Sequence, residues 1–273
     1  MTSHAPVLAF DLGGTKLAAA MVSGEQVLER RQILTPEDRS PQSIVQTLLK
    51  LSENWLEQVT HLAVAATGHV NHGRITAPNQ QTLPWTDVDL KTLLEQATGK
   101  PSTVLNDADA AAWGEFRFGA GVGSSRMMFV TVSTGVGAGL VLEGRLLEGA
   151  ELGFTRLEDG TPLEFVASGA ALDRYAVKRG WTDTRELLER VFEDQDAQIL
   201  LERTARLLAD KLWDAHQLLC LERVVLGGGL GLAPGFLERV RKYLDGGPEM
   251  VLAELGADAG LVGAANWSAA RAV

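Results

Sequence analysis

Two stretches of the chain share one hydrophobic pattern, an apolar run, a turn of small residues and a second apolar run. In the first, residues 7–10 are apolar and lead into Asp11-Leu-Gly-Gly-Thr-Lys16. Apolar residues 17–22, a Ser23-Gly24 turn and residues 26–34 follow. Short apolar runs bounded by Gly-rich clusters predict three strands joined as a meander. In the second stretch, residues 127–132 run into Ser133-Thr-Gly-Val-Gly-Ala-Gly139, and then come residues 140–142, a Glu143-Gly144 turn and residues 145–147. The recurrence, with a turn predicted over 133–139, points to an internal duplication and two similar lobes.

The segments between and after the meanders alternate helical and extended patterns. Ile44, Leu48, Leu51 and Leu56 recur at helical spacing and predict a helix over 43–56, followed by a strand over 61–66. Residues 70–85 read as loop, 89–98 as a helix stopped by Gly99-Lys-Pro101, and 103–105 as a strand entering Asn106-Asp107. An Ala-rich helix spans 108–118. Further helices are expected over 163–178, 184–192, 197–219, 234–244 and 260–271, with a strand over 223–226 running into Gly227-Gly-Gly229. The class is α/β. The lobes are expected over 1–105, with 260–273 packing back on it, and over 106–259.

Chemistry enters at the turns. Glycines between strands let backbone approach a ligand closely, and Thr15 offers a hydroxyl and an N–H to phosphate oxygens. Asp11, at the strand end, is placed to hold a magnesium ion through water. Thr134 and Gly135 repeat the arrangement in the second meander. Gly227, Gly228 and Gly229, between a strand and a helix, suit a flat ring such as adenine; a plain strand-to-helix turn has the same composition. Asp107 has two roles open to it, helix cap or base, because open α/β sheets gather ligands at the carboxyl ends of strands. Asn79, Glu151 and Glu164 are candidates for hydrogen bonds to sugar hydroxyls. Trp85, in the loop after Asn79, is close enough in sequence to pack near a sugar.

Composition narrows the class of partner. A net charge of −10 disfavours a nucleic-acid or anionic-membrane surface, while ATP can be held by backbone N–H groups and a metal. Cys220 is the one cysteine, so neither an internal disulfide nor a cysteine-cluster metal site is expected. No signal peptide is expected, and no run approaches the ~18 apolar residues of a membrane span. A cytoplasmic setting follows as the expectation.

VLAFDLGGTKLAAAMV, LNDADAAAWGE, FVTVSTGVGAGLVLEGRLLEGA and VVLGGGLG, in this order, resemble the ROK family of bacterial sugar kinases and repressors. Within the family the likeness is greatest to the N-acetylmannosamine kinases. The resemblance implies an actin-like ATPase (ribonuclease H-like) fold with two lobes and a central cleft. It also implies ATP with Mg²⁺, and transfer of the γ-phosphate to the 6-hydroxyl of a sugar, best matched by N-acetylmannosamine. Glucokinase, N-acetylglucosamine kinase or a non-catalytic sugar sensor are the alternatives. A helix-turn-helix of the repressor kind has no room before Asp11. The family pattern implies Asp107 as base and Asn79, Asn106, Glu151 and Glu164 as sugar contacts. The phosphate turns are Asp11, Gly13, Gly14, Thr15 and Lys16, and Thr134 with Gly135. A homodimer is implied as well. Phe154 stands where the family usually has a zinc-ligating His, and residues 156–162 lack the family's Cys-rich loop, so zinc is not expected.

Overall fold

The computed structural model describes residues 5–77 and 83–271. Packing divides the chain into one unit running through Phe118 and resuming at Ala257, and a second unit, Gly119–Gly256. The division falls after Phe118, not after Leu105.

The first unit is built on the strands β1 (Val7–Leu12), β2 (Lys16–Ser23), β3 (Gln26–Leu34), β4 (Leu62–Ala66) and, after a small accessory sheet, β8 (Ser102–Asn106). The sheet order is β3-β2-β1-β4-β8, antiparallel through the meander and parallel from β1 onward. β1, β2 and β4 are buried nearly throughout, which explains their unbroken apolar runs. The accessory sheet, β5 (His69–Asn71), β6 (Arg74–Thr76) and β7 (Val88–Asp89), occupies part of the predicted loop.

Helix α1 (Pro41–Leu51) starts at a Ser40 cap with proline in its first turn and stops at Ser52. Leu56 therefore falls in a separate 3-10 turn, Leu56–Gln58. Helices α2 (Leu90–Thr98) and α3 (Asp107–Phe118) flank β8.

The second unit repeats this plan. Its strands are β9 (Arg126–Val132), β10 (Val136–Leu142), β11 (Arg145–Leu147), β12 (Arg223–Gly227) and β13 (Glu249–Leu252), ordered β11-β10-β9-β12-β13 with the same senses. The expected turn over 133–139 shrinks to Ser133–Gly135, because Val136 to Gly139 complete the ladder with β9 and so satisfy their backbone groups. The helix expected over 163–178 is two, α4 (Leu163–Ala167) and α5 (Gly169–Lys178), broken where Ser168 turns extended to cap α5. Helices α6 (Thr184–Arg190), α7 (Gln195–Leu219) and α8 (Phe236–Arg241) complete the unit. Ala197, Leu201, Thr204, Ala205, Leu208, Ala209 and Leu212 form the buried stripe of α7.

Helix α9 (Ala259–Arg271) returns to the first unit and packs on α3 and on β1 and β4. α3 and α9 meet at backbone distance: a Cβ on Gly263 would overlap the Ala110 carbonyl. This packing is why α3, with Asp107 at its head, belongs to the first unit. Among the described residues no helix is long and apolar enough to cross a membrane.

Candidate active site

In the first unit the sequence-predicted residues gather at the carboxyl ends of β1 and β8. The Gly13–Thr15 turn is closed by Gly13 N–H donating to the Lys16 carbonyl at 3.1 Å. It is tied to the end of β3 by Thr35, whose N–H reaches the Thr15 carbonyl (2.9 Å) and whose hydroxyl reaches the Gly13 carbonyl (2.8 Å). Thr15 and Lys16 stay exposed at the tip. Asp11, half-buried one residue before the end of β1, has its carboxyl raised from 3.8 to about 6 by burial, with Arg30 opposing the shift. Arg30 also pairs with Asp258, Nη1 to Oδ1 at 3.0 Å.

Asn106 and Asp107 divide what the sequence left open. The Asn106 Oδ1 accepts from the N–H groups of Ala108 (2.9 Å) and Asp109 (3.2 Å), so Asn106 caps α3. Its Nδ2 donates to the Gly68 carbonyl at 2.9 Å, tying β8 to the turn after β4. Asp107 is the first residue of the helix, half-buried, and its Oδ1 accepts from Ala108 N–H at 2.8 Å. A negative charge there is favoured by the helix dipole. The first turn of α9 braces the spot, since a Cβ on Gly260 would lie 3.9 Å from the Asp107 carbonyl oxygen.

Asn79 lies outside the described residues. In the accessory sheet Arg74 holds Asp87 through Nε–Oδ1 (2.6 Å) and Nη2–Oδ2 (2.8 Å) and holds Asp89 through Nη1 (3.1 Å). Trp85 does not face a ligand: it is 1% exposed, in the core of the first unit, with its indole N–H on the Arg39 carbonyl at 2.7 Å. A large aromatic six residues from Asn79 is a core anchor.

In the second unit the two Gly turns are neighbours, because β9 and β12 pair in parallel with Thr131 opposite Gly227. Thr134 is exposed at the tip of its turn. The Ser133 and Thr134 carbonyls accept from the Gly169 (2.6 Å) and Ala170 (3.2 Å) N–H groups at the start of α5. Leu230 and Gly231 N–H groups bond the Val132 carbonyl at 2.9 and 3.0 Å, stitching the third turn to the second. Gly228 has φ +82°, and a Cβ there would lie 2.5 Å from the Val132 carbonyl oxygen, so glycine is required. At Gly229 a Cβ would meet nothing within 4 Å, which leaves open backbone for a flat ligand.

Glu164, in the first turn of α4, accepts from the Val136 N–H at 2.9 Å through Oε2. Glu151 directly precedes the 3-10 turn Leu152–Phe154, in which Gly153 packs on the Val136 carbonyl and the Glu164 Cβ. The Glu164 carboxylate thus adjoins the Ser133–Gly135 turn, and Glu151 lies two residues before the glycine that packs on Val136. Phe154 is 45% exposed. The segment 156–162 closes on itself as a small hairpin, with Leu157 N–H on the Thr161 carbonyl at 2.9 Å and Arg156 bridged to Pro162.

The supports of both turns escaped the sequence reading. Thr35, Gly169 and Ala170 act through main-chain partners far away in sequence, and no residue type marks such a contact. The Ser168-Gly169 pair, a cap signal inside an apolar stretch, could have revealed the break before α5.

Among the described residues, Asp11 has the chemistry to meet a divalent ion. A lone half-buried carboxylate with a raised pKa, Asp11, gains by meeting a cation, and Mg²⁺ takes few protein ligands beside water and phosphate oxygens. Among the described residues no group of three or more His, Cys, Asp or Glu is gathered to hold a metal.

The chain resembles known proteins in sequence and in fold. The profile of the ROK family matches residues 7–271. The bifunctional enzyme NanE/NanK of Brucella melitensis is 38% identical over 97% of this chain, which spans about half (54%) of that enzyme's length. The N-acetylmannosamine kinase of Haemophilus influenzae is 36% identical over 95% of this chain and 94% of its own. The ROK family glucokinase from Streptomyces griseus, solved with glucose and AMPPNP, is 30% identical, covers 96% of this chain and 98% of its own, and has a TM-score of 0.82. These neighbours carry the actin-like ATPase fold, which is the fold class read from the sequence. The chain belongs to the ROK family.

Proposed function

We propose that the chain is a sugar kinase that moves the γ-phosphate of ATP to the 6-hydroxyl of N-acetylmannosamine. The observation that carries this is the division of labour at the end of β8. Asn106 holds the Ala108 and Asp109 N–H groups, so the cap does not depend on the carboxylate that Asp107 adds at the head of the helix beside the Ala108 N–H. In this role Asp107 takes the proton of the sugar hydroxyl, the hydroxyl oxygen bonds to the γ-phosphorus, and the bond from phosphorus to the bridging oxygen breaks to release ADP. Gly13, Gly14, Thr15 and Lys16 in one turn, and Thr134 and Gly135 in the other, supply donors to phosphate. Gly227, Gly228 and Gly229 accept the purine side. Asn79, Asn106, Glu151 and Glu164 orient the sugar. Mg²⁺, beside Asp11, would neutralise phosphate charge. A homodimer in the cytoplasm completes the proposal.

Glucose is the second substrate to weigh, because the Streptomyces glucokinase is 30% identical and was solved with that sugar. ADP release over N-acetylmannosamine, N-acetylglucosamine and glucose, with Asp107→Asn beside the wild type, tests the proposal. Turnover favouring N-acetylmannosamine and lost in the variant is expected. Sugar binding without turnover in the wild type would make the chain a sensor instead.

A further inference from the structure

We infer that Glu164 is a positioning residue for the second phosphate turn, so that a carboxylate of the sugar side also shapes the nucleotide side. This rests on reading Ser133–Gly135 as a turn that binds phosphate.

The turn is gripped from two directions. Its carbonyls, on Ser133 and Thr134, are taken by the N–H groups of Gly169 and Ala170. Its exit N–H, on Val136, is taken by Glu164 Oε2 at 2.9 Å. The contact is close: a Cβ on Gly135 would overlap Glu164 Oε2 and push that oxygen from its place. The Glu164 backbone is itself fixed, since Leu163 and Ala167 of α4 are buried and the Leu163 N–H bonds the Thr155 carbonyl at 2.9 Å. A carboxylate on a fixed backbone therefore holds the turn where it leaves for β10.

The same bond also handles charge. A carboxylate behind a phosphate site opposes the phosphate, and directing one oxygen onto a backbone N–H disperses part of that charge. Oε1 is left facing Gly135 from farther off, where a Cβ would be 3.7 Å away, and that oxygen is the one available to a sugar hydroxyl.

Glutamine keeps an acceptor oxygen and loses the charge, whereas alanine loses both, so the pair of variants separates positioning from sugar contact. Binding of a non-hydrolysable ATP analogue is measured without sugar by calorimetry. Glu164→Ala is expected to weaken it about tenfold, with Glu164→Gln within about twofold of wild type. In sugar binding, both variants are expected to be weak. Backbone exchange at residues 133–137, followed by mass spectrometry without any ligand, should quicken in Glu164→Ala and return to the wild-type rate in Glu164→Gln.

Wild-type nucleotide affinity and exchange in Glu164→Ala would overturn the inference while leaving the kinase proposal intact. Glutamine failing to rescue exchange would overturn it as well. If the wild type binds no nucleotide, the kinase proposal fails and takes the inference with it. A Glu164→Ala protein that does not fold is replaced by Gly135→Ala, which must show the same quickened exchange.

Discussion

The two units use one sheet order and one hairpin turn, yet they hold that turn differently. In the first, Gly13–Lys16 bridges the pair Leu12–Leu17 and hangs from Thr35 on the neighbouring strand. In the second, Ser133–Gly135 bridges Val132–Val136 and is clamped by α4, α5 and the Gly228 turn. The residue next to the turn differs in kind as well. Counting back from the last strand pair, Asp11 in the first unit corresponds to Thr131 in the second. One copy places a costly carboxylate there and the other a hydroxyl packed beside Gly228. Duplication supplied the frame, and the distinct chemistry came from what was added at the strand ends.

The largest way to break the comparison is at Asp107, which opens α3 directly after β8, whereas no helix starts directly after β13. Asp107→Asn should lower kcat by about a thousandfold while leaving sugar affinity within about threefold, read by steady-state kinetics and calorimetry. Next comes Gly228→Ala. Positive φ and overlap with the Val132 carbonyl should cost about 2–4 kcal/mol, read as a lower urea midpoint with exchange quickened in β9 and β12 rather than in β1.

Asp11→Asn should do the reverse to stability. A carboxyl whose folded pKa, about 6, exceeds its value of 3.8 binds its proton better in the folded chain. That contribution is full below about pH 4 and is lost as pH rises through about 6. In a chelator at pH 7 the asparagine variant should therefore gain about 2 kcal/mol and lose the slope between pH 4 and 7, at the expense of activity. Thr131→Val, at the matching position, should leave the slope unchanged.

The smallest effect is in the second unit. Glu202 accepts from Lys242 (2.6 Å), Tyr243 (2.8 Å) and Arg239 (2.9 Å), and these bonds, Lys242 foremost, hold its carboxyl down at about 2. The sign is opposite to that of Asp11. The stabilisation is present above about pH 4.5 and lost as pH falls through about 2, and Glu202→Gln should cost about 1 kcal/mol at pH 7 because the group is partly solvated.

Much of this frame was legible because apolar runs and Gly-Thr clusters alternate with the period of strands and turns. The matched meanders gave the duplication, and DLGGTK, ND and STGVG lie at strand ends, where the pattern put them. Four features were hidden. β13 is a short edge strand with exposed Glu249 and Leu252, so no alternation shows. β10 begins inside a Gly-rich stretch because strand pairing, which acts across the sheet, outweighs glycine's poor intrinsic preference. Trp85 lies outside helix and strand as read, but its burial was hidden because the core it joins comes from residues far away in sequence. The Glu164–Val136 bond joins residues 28 positions apart, and neither residue type announces the other.

The crossing of α3 on α9 bears on how far this chain can drift. Where Gly263 meets the Ala110 carbonyl, main chain presses on main chain. A joint of that kind ignores most side-chain turnover on either helix and forbids almost any at the joint itself. A saturation scan of both helices should then read as broad tolerance interrupted by a sharp notch at Gly263, with Gly114 beside it, and the aspartate at the head of α3 should keep its place through all the rest.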